Sequence, residues 1–242
     1  MPEFLAPVAA RTSSSPVTKA AMAKVKICGI TSPEALDTAL RCGADYIGLV
    51  FFPKSPRHID FKLAGELARQ ARGRSRIVTL VVDPDRALLS TIQRDVRPDI
   101  IQLHGREPPE FVSEVRALVP GVEIWKALPI AAPSDVGVAD TYLSPGERAD
   151  LVLFDAKPPP GAALPGGNGL SFDWRILDGV AERFPFALAG GLNPGNVAAA
   201  IELTHAAIVD VSSGVEASPG KKDPALIASF IAATNRVGQT AS

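Results

Sequence analysis

Apolar runs too short to be helices recur along the chain at 25–27, 46–52, 77–82, 100–103, 122–127, 151–154, 186–189 and 207–211. Most are apolar at successive positions rather than alternate ones, the pattern of parallel strands covered on both faces. Helix-length amphipathic stretches separate them, so the chain reads as eight successive βα units. Ser32-Pro33-Glu34, Asp83-Pro84-Asp85, Asn193-Pro194-Gly195 and Asp223-Pro224 each place a capping side chain before a first-turn proline and predict helix starts. Pro108-Pro109-Glu110 is a start of the same kind without a capping residue, and Arg41-Cys42-Gly43 is a glycine stop.

Alternating strands and helices fit either a closed barrel or a doubly wound open sheet. Eight strands favour the α/β class in its closed form, a single (β/α)8 TIM barrel over residues 24–242. Residues 1–23 are rich in Ala, Ser, Thr and Pro, show no hydrophobic period, and are expected to be a disordered, flexible N-terminal extension. The connection 156–171 is long and full of Pro and Gly, either an active-site lid or a tolerated insertion. Because it follows a strand ending at Asp155, the lid is the preferred reading.

Composition narrows the partners. The chain has 242 residues, 46% of them apolar and 6% aromatic, enough for an aliphatic core of one barrel. A net charge of −1 supplies no field for nucleic acid or anionic membrane, so any anion site must be local and the partner small. No segment has the length and apolarity of a membrane span, and polar residues interrupt the N-terminal stretch where a secretory signal would need an apolar run. Two cysteines without CxxC or Cys/His spacing point to no disulfide and no metal site. A reducing, cytoplasmic location follows as an expectation, and no cofactor site is evident.

In a barrel of this class, chemistry sits at the carboxyl ends of the strands. That filter selects Cys28, His104, Asp155 and Asp210, with Arg57 just after the second strand. Period-two alternation puts Lys26 on the same face as Cys28, beneath it. After the last two strands, Gly190 and Gly191 in Ala189–Gly195 and Ser212, Ser213 and Gly214 in Asp210–Val215 look like a phosphate cradle. Glycines let backbone N–H groups approach an anion, hydroxyls add donors, and a following helix start adds its positive end. Cys42 and His205 read as structural.

At these residues the chain resembles the phosphoribosylanthranilate isomerases of tryptophan biosynthesis, over Lys24 to about Ala233. The resemblance rests on Lys26-Ile27-Cys28-Gly29-Ile30-Thr31, Phe51-Phe52-Pro53-Lys54-Ser55-Pro56-Arg57, Gln102-Leu103-His104-Gly105, Leu153-Phe154-Asp155 and Gly166-Gly167-Asn168-Gly169. Phe172-Asp173-Trp174, Ala189 to Pro194 and Val209 to Glu216 extend it. It implies an Amadori rearrangement of N-(5-phosphoribosyl)anthranilate to 1-(2-carboxyphenylamino)-1-deoxyribulose 5-phosphate by general acid-base catalysis. Asp155 would protonate the ring oxygen and Cys28 would take the proton from the sugar's second carbon. Arg57 would anchor the anthranilate, Asp210 would line the substrate, and the two loops would hold the phosphate; His104 reads equally as a substrate-binding residue or as one that satisfies a barrel hydrogen bond. The implied partner is a small sugar phosphate, bound by a monomer or homodimer.

Such a pair calls for opposite shifts. An Asp that titrates near 3.9 must hold a proton, by burial, and a Cys near 8.5 must lose one, with Lys26 or a helix end as the cause. Asn168 stands where the family usually has Ser or Thr, so an altered lid contact is expected. The related histidine-pathway isomerase would carry Asp in place of Cys28 and a second anion loop, and a non-catalytic binding protein would not need both Cys28 and Asp155.

Overall fold

A computed structural model describes residues 22–144, 148–159, 161–162 and 164–237. The N-terminal extension expected at 1–23 lies, except for Met22 and Ala23, outside the described residues. Eight parallel strands close on one another in sequence order: β1 (Lys24–Cys28), β2 (Tyr46–Phe51), β3 (Arg76–Val81), β4 (Ile100–Leu103), β5 (Glu123–Ile130), β6 (Leu151–Ala156), β7 (Phe186–Leu188) and β8 (Ile208–Val211). The β1–β8 seam, with Lys24 opposite Ile208 and Lys26 opposite Asp210, completes the barrel. Helices α1 (Pro33–Cys42), α2 (Phe61–Ala71), α3 (Arg86–Asp95), α4 (Pro109–Leu118), α5 (Pro133–Val136), α6 (Val138–Leu143), α7 (Val180–Arg183), α8 (Val197–Thr204) and α9 (Pro224–Val237) fill the connections and the C-terminus. Among the described residues no helix is long and apolar enough to cross a membrane. All eight sequence-predicted strands are present.

Successive strand residues face opposite ways, and both faces are apolar for different reasons. Tyr46, Val78, Ile100, Trp125, Leu153 and Ala187 belong to a cluster filling the barrel, while Ile47, Ile77, Ile101, Ile124 and Val152 pack into the larger strand-to-helix core. Buried β-branched and leucine side chains contribute about 1.5–3 kcal/mol each, which explains why these runs carry little polar signal. Three aspartates stitch the amino-terminal rim. Asp45, Asp99 and Asp150 each precede an even-numbered strand and accept the N–H of Val25, Ile77 and Ile124 in the strand before it, at 2.8, 2.7 and 2.7 Å.

Two predicted helix starts are displaced. Ser32 caps α1 through Ala35 N, and Asp223 accepts from Ala225 N as expected. Asp83 does not cap α3. It takes φ +45 and accepts from Arg106 N in the next loop at 2.7 Å, leaving Asp85 to cap through Leu88 N. Asn193 likewise spends its Oδ1 on Gly195 N, a local Asx turn that delays α8 until Val197. In both cases a side-chain bond across or within a loop competes with capping.

Candidate active site

Above the barrel interior lies a cavity lined by Cys28, Arg57, His104, Asp155, Gly190, Gly191, Asp210, Ser212 and Ser213. Nine of the ten sequence-predicted site residues therefore meet in one place. Gly214 stands behind the wall, where a Cβ would run into Leu192 O, so it locks the two glycine-containing loops together. Gly190 and Gly191 have φ +86 and +66, and a Cβ on Gly190 would lie 2.6 Å from Ala156 N. Only glycine satisfies both the left-handed backbone and that close approach.

Cys28 ends β1 and is buried at 4% exposure. Beneath it Lys26, at 0%, donates to Asp210 Oδ2 at 2.8 Å. Burial pushes the Cys28 thiol above its ordinary value, and Lys26 only partly opposes this because Asp210 offsets its charge. The expected lowering of the thiol is thus reversed: the lysine is committed to a carboxylate. Burial acts to lower Lys26, but the charges and hydrogen bonds of Asp210 and Cys28 outweigh it and hold the ammonium above the usual lysine value. Asp210 Oδ1 is buried and has no protein partner among the described residues.

On the far side, Asp155 occupies the next-to-last position of β6. Its Oδ1 accepts the N–H of Ala156 at 2.8 Å, and its Oδ2 faces His104 Nε2 at 3.3 Å. His104 Nδ1 meets Gln102 Nε2 at 2.9 Å. Arg57 is buried at 6%, and its Nε and Nη2 donate to Glu216 at 2.7 and 2.9 Å. Lys222 Nζ donates to the same carboxylate at 2.7 Å and to Ser212 O at 2.9 Å, while Ser212 Oγ donates to Cys28 O at 3.2 Å. Burial and the cation of Arg57 depress Lys222 below the usual lysine value, against the pull of Glu216. Burial acts to raise Glu216, but bonds from both cations outweigh it and hold the carboxyl low.

Described residues of the 156–171 connection cover the cavity, and the lid reading fits them. Leu164 to Leu170 line it, and a Cβ on Gly166 would strike Asp155 Oδ2 and His104 Nε2. Pro160 and Ala163 lie outside the described residues. Asn168 donates from Nδ2 to Leu164 O at 3.2 Å, within the lid itself.

Sequence reasoning missed Gln102, Glu216 and Lys222. Gln102 sits at an inward strand position two residues before His104 and could have been found by period-two reading. Glu216 closes a motif the sequence analysis quoted without assigning it a role. Lys221-Lys222 gives no signal, since paired lysines in a loop ordinarily face water.

A sequence model of the family described as N-(5'-phosphoribosyl)anthranilate (PRA) isomerase matches residues 25–233. An N-(5'-phosphoribosyl)anthranilate isomerase from Rhodopseudomonas palustris is 49% identical over 209 residues, covering 86% of this chain and 96% of the relative. One from Rhodospirillum centenum is 53% identical over 210 residues, again 86% and 96%. Among solved structures, the phosphoribosyl anthranilate isomerase of Thermotoga maritima superposes with a TM-score of 0.78 at 35% identity, covering 89% of this chain and all of that one. Another solved phosphoribosyl anthranilate isomerase, in complex with reduced 1-(o-carboxyphenylamino)-1-deoxyribulose 5-phosphate, gives 0.75 at 33% over 89% and 100%. With the family's motifs meeting in a single cavity at the carboxyl end of the barrel, this chain belongs to the N-(5'-phosphoribosyl)anthranilate isomerases.

Proposed function

We propose that in this isomerase Asp155 is the general acid and Cys28 the general base, facing each other across one cavity. The reaction is the Amadori rearrangement of N-(5-phosphoribosyl)anthranilate to 1-(2-carboxyphenylamino)-1-deoxyribulose 5-phosphate, a step of tryptophan biosynthesis. The observation that carries the role assignment is that Cys28 and Asp155 project from non-adjacent strands, β1 and β6, onto the same cavity.

Asp155 gives its proton to the furanose oxygen, the ring C–O bond breaks, and the anthranilate nitrogen's lone pair forms a cationic Schiff base at the first carbon. Cys28 then takes the proton from the second carbon, and the C–H electrons neutralise the iminium to give an enolamine. Tautomerisation, with a proton added at the first carbon, yields the ketone. Held protonated in the free enzyme, the thiol first gives its own proton to solvent as the Schiff base forms, and the thiolate is the base. The iminium brings a positive charge beside Cys28 only after ring opening, and an adjacent cation favours the thiolate. Acid-base groups placed this way contribute about 10²- to 10⁴-fold each.

Arg57 anchors the anthranilate carboxylate. Two of its nitrogens are held by Glu216, and Nη1, turned toward Gly167 of the lid, has no protein partner among the described residues. Asp210 Oδ1 accepts a sugar hydroxyl, and Gly190, Gly191, Ser212 and Ser213 cradle the phosphate with Gly214 fixing their loop. The barrel from Lys24 onward serves as the catalytic unit, in a monomer or a homodimer. Two unpaired cysteines and a biosynthetic substrate support a cytoplasmic location. The test is turnover of phosphoribosylanthranilate, followed by loss of its fluorescence, by the unmutated chain and by Asp155→Asn. A collapse of turnover in the variant is expected, and undiminished turnover would remove Asp155 from the acid role.

A further inference from the structure

Gln102 and His104 form a second layer behind the proposed acid. Gln102 is 0% exposed on the inner face of β4, in register with Leu80 on one side and Trp125 on the other. Its amide nitrogen meets His104 Nδ1 at 2.9 Å, and its Oε1 is buried without any partner among the described residues. In that orientation the amide donates to Nδ1, so the imidazole proton sits on Nε2. A buried acceptor is then left unsatisfied, at a cost of about 1–3 kcal/mol. His104 could only donate to Asp155, which favours a carboxylate that has no proton to give.

A half-turn of the amide reverses the direction of this hydrogen-bonded chain, with the NH2 group taking the unpartnered place of the oxygen. The oxygen and nitrogen of a glutamine amide are nearly isosteric, so Oε1 then lies against Nδ1 and accepts its hydrogen. His104 Nε2 becomes a bare lone pair 3.3 Å from Asp155 Oδ2. Two acceptors facing each other at that distance need a proton between them.

We infer that Gln102 is a positioning residue that accepts from His104 Nδ1–H and thereby obliges His104 and Asp155 to share one acidic proton, the proton delivered to the ring oxygen. This deepens the acid role proposed for Asp155 and rests on it. The other groups facing the pair are the Ala156 N–H on Oδ1, the lid backbone at Gly166, and the Gly190 turn. Of the ionisable side chains lining the same cavity, Arg57 is bound to Glu216 and Asp210 to Lys26, and Cys28 lies across the barrel on β1. None of the charged groups described there donates to the pair.

The inference is tested by the histidine tautomer and by pH dependence. In the 15N spectrum of the unmutated protein, whose three histidines are assigned with a His104→Asn control, His104 is expected to carry hydrogen on Nδ1 near neutral pH. A neutral ring with a bare Nδ1 would overturn the inference. Gln102→Glu, an acceptor in either orientation, should keep kcat/KM or extend it to higher pH. Gln102→Met, which neither donates nor accepts, should lose on the order of tenfold at mildly alkaline pH and recover as the pH falls. Equal losses in both variants at every pH would reduce Gln102 to packing. Failure of Gln102→Glu to fold leaves the spectrum of the unmutated chain decisive. The two readings fail separately: Asp155→Asn with full turnover removes the acid, whereas a bare Nδ1 alongside an inactive Asp155→Asn removes only the role of Gln102.

Discussion

Glu216→Ala probes the charge network that holds Arg57. Glu216 accepts from Arg57 Nε at 2.7 Å, Arg57 Nη2 at 2.9 Å, Lys222 Nζ at 2.7 Å and Gly220 N at 3.3 Å. Its side chain is 4% exposed, against 7% for Arg57 and 0% for Lys222. Removing the carboxylate strands two buried cations, and breaking a buried pair in this way costs about 3–5 kcal/mol. In a domain of this size about 1 kcal/mol corresponds to roughly 2–4 °C, so Tm should fall by about 6–20 °C, measured by circular dichroism. The loss should be nearly independent of salt, since buried charges are little screened. Because Glu216 titrates lower in the folded chain than in an unfolded one, its contribution is complete above the ordinary carboxylate range. It disappears as pH falls through the lowered folded value, so the gap between the two proteins should narrow in acid. With Arg57 released, KM should rise more than kcat falls. A Tm within about 2 °C of the unmutated protein, less than a 1 kcal/mol change, would refute the network as a determinant of stability.

The remaining predictions concern the lid, the phosphate loops and the thiol. Gly166→Ala should lower kcat with little change in Tm, because its methyl meets Asp155 and His104 while the lid lies outside the core; unchanged kinetics would mean the lid stands off the acid. Gly214→Ala should cost about 1–3 kcal/mol by urea unfolding and raise KM, since the added methyl drives apart the loops at Leu192 and Ser213. Cys28 in the free enzyme should react slowly with iodoacetamide near neutral pH and keep gaining rate above the pH at which an ordinary thiol levels off, because burial raises it. A low, early plateau would contradict that direction.

The barrel was legible because each strand is a short apolar run and each interval a helical one, so element order alone nearly dictates topology. Cys28, Asp155, Asp210 and the two glycine loops were legible because the barrel puts function at strand ends. What the sequence hid were competitions. Asp83 and Asn193 look like caps, and only the fold decides that loop bonds claim them. Lys26 beside Cys28 suggested an activated thiol, but across the β1–β8 seam its register partner is Asp210, which takes the charge. Lys222 folds back through a short hairpin, Glu216–Ser218 with Lys221–Lys222, onto Glu216, a contact no local pattern announces.

The claim at the centre is that Cys28 removes the proton from the second carbon of the sugar. It is tested most directly by turning over phosphoribosylanthranilate that carries either hydrogen or deuterium there, with the unmutated chain and with Cys28→Ala. The account predicts slower turnover of the deuterated substrate by the unmutated chain, and a loss of about 10²- to 10⁴-fold in a Cys28→Ala protein with unchanged circular dichroism. A folded Cys28→Ala that retains full turnover with the same isotope sensitivity would contradict it.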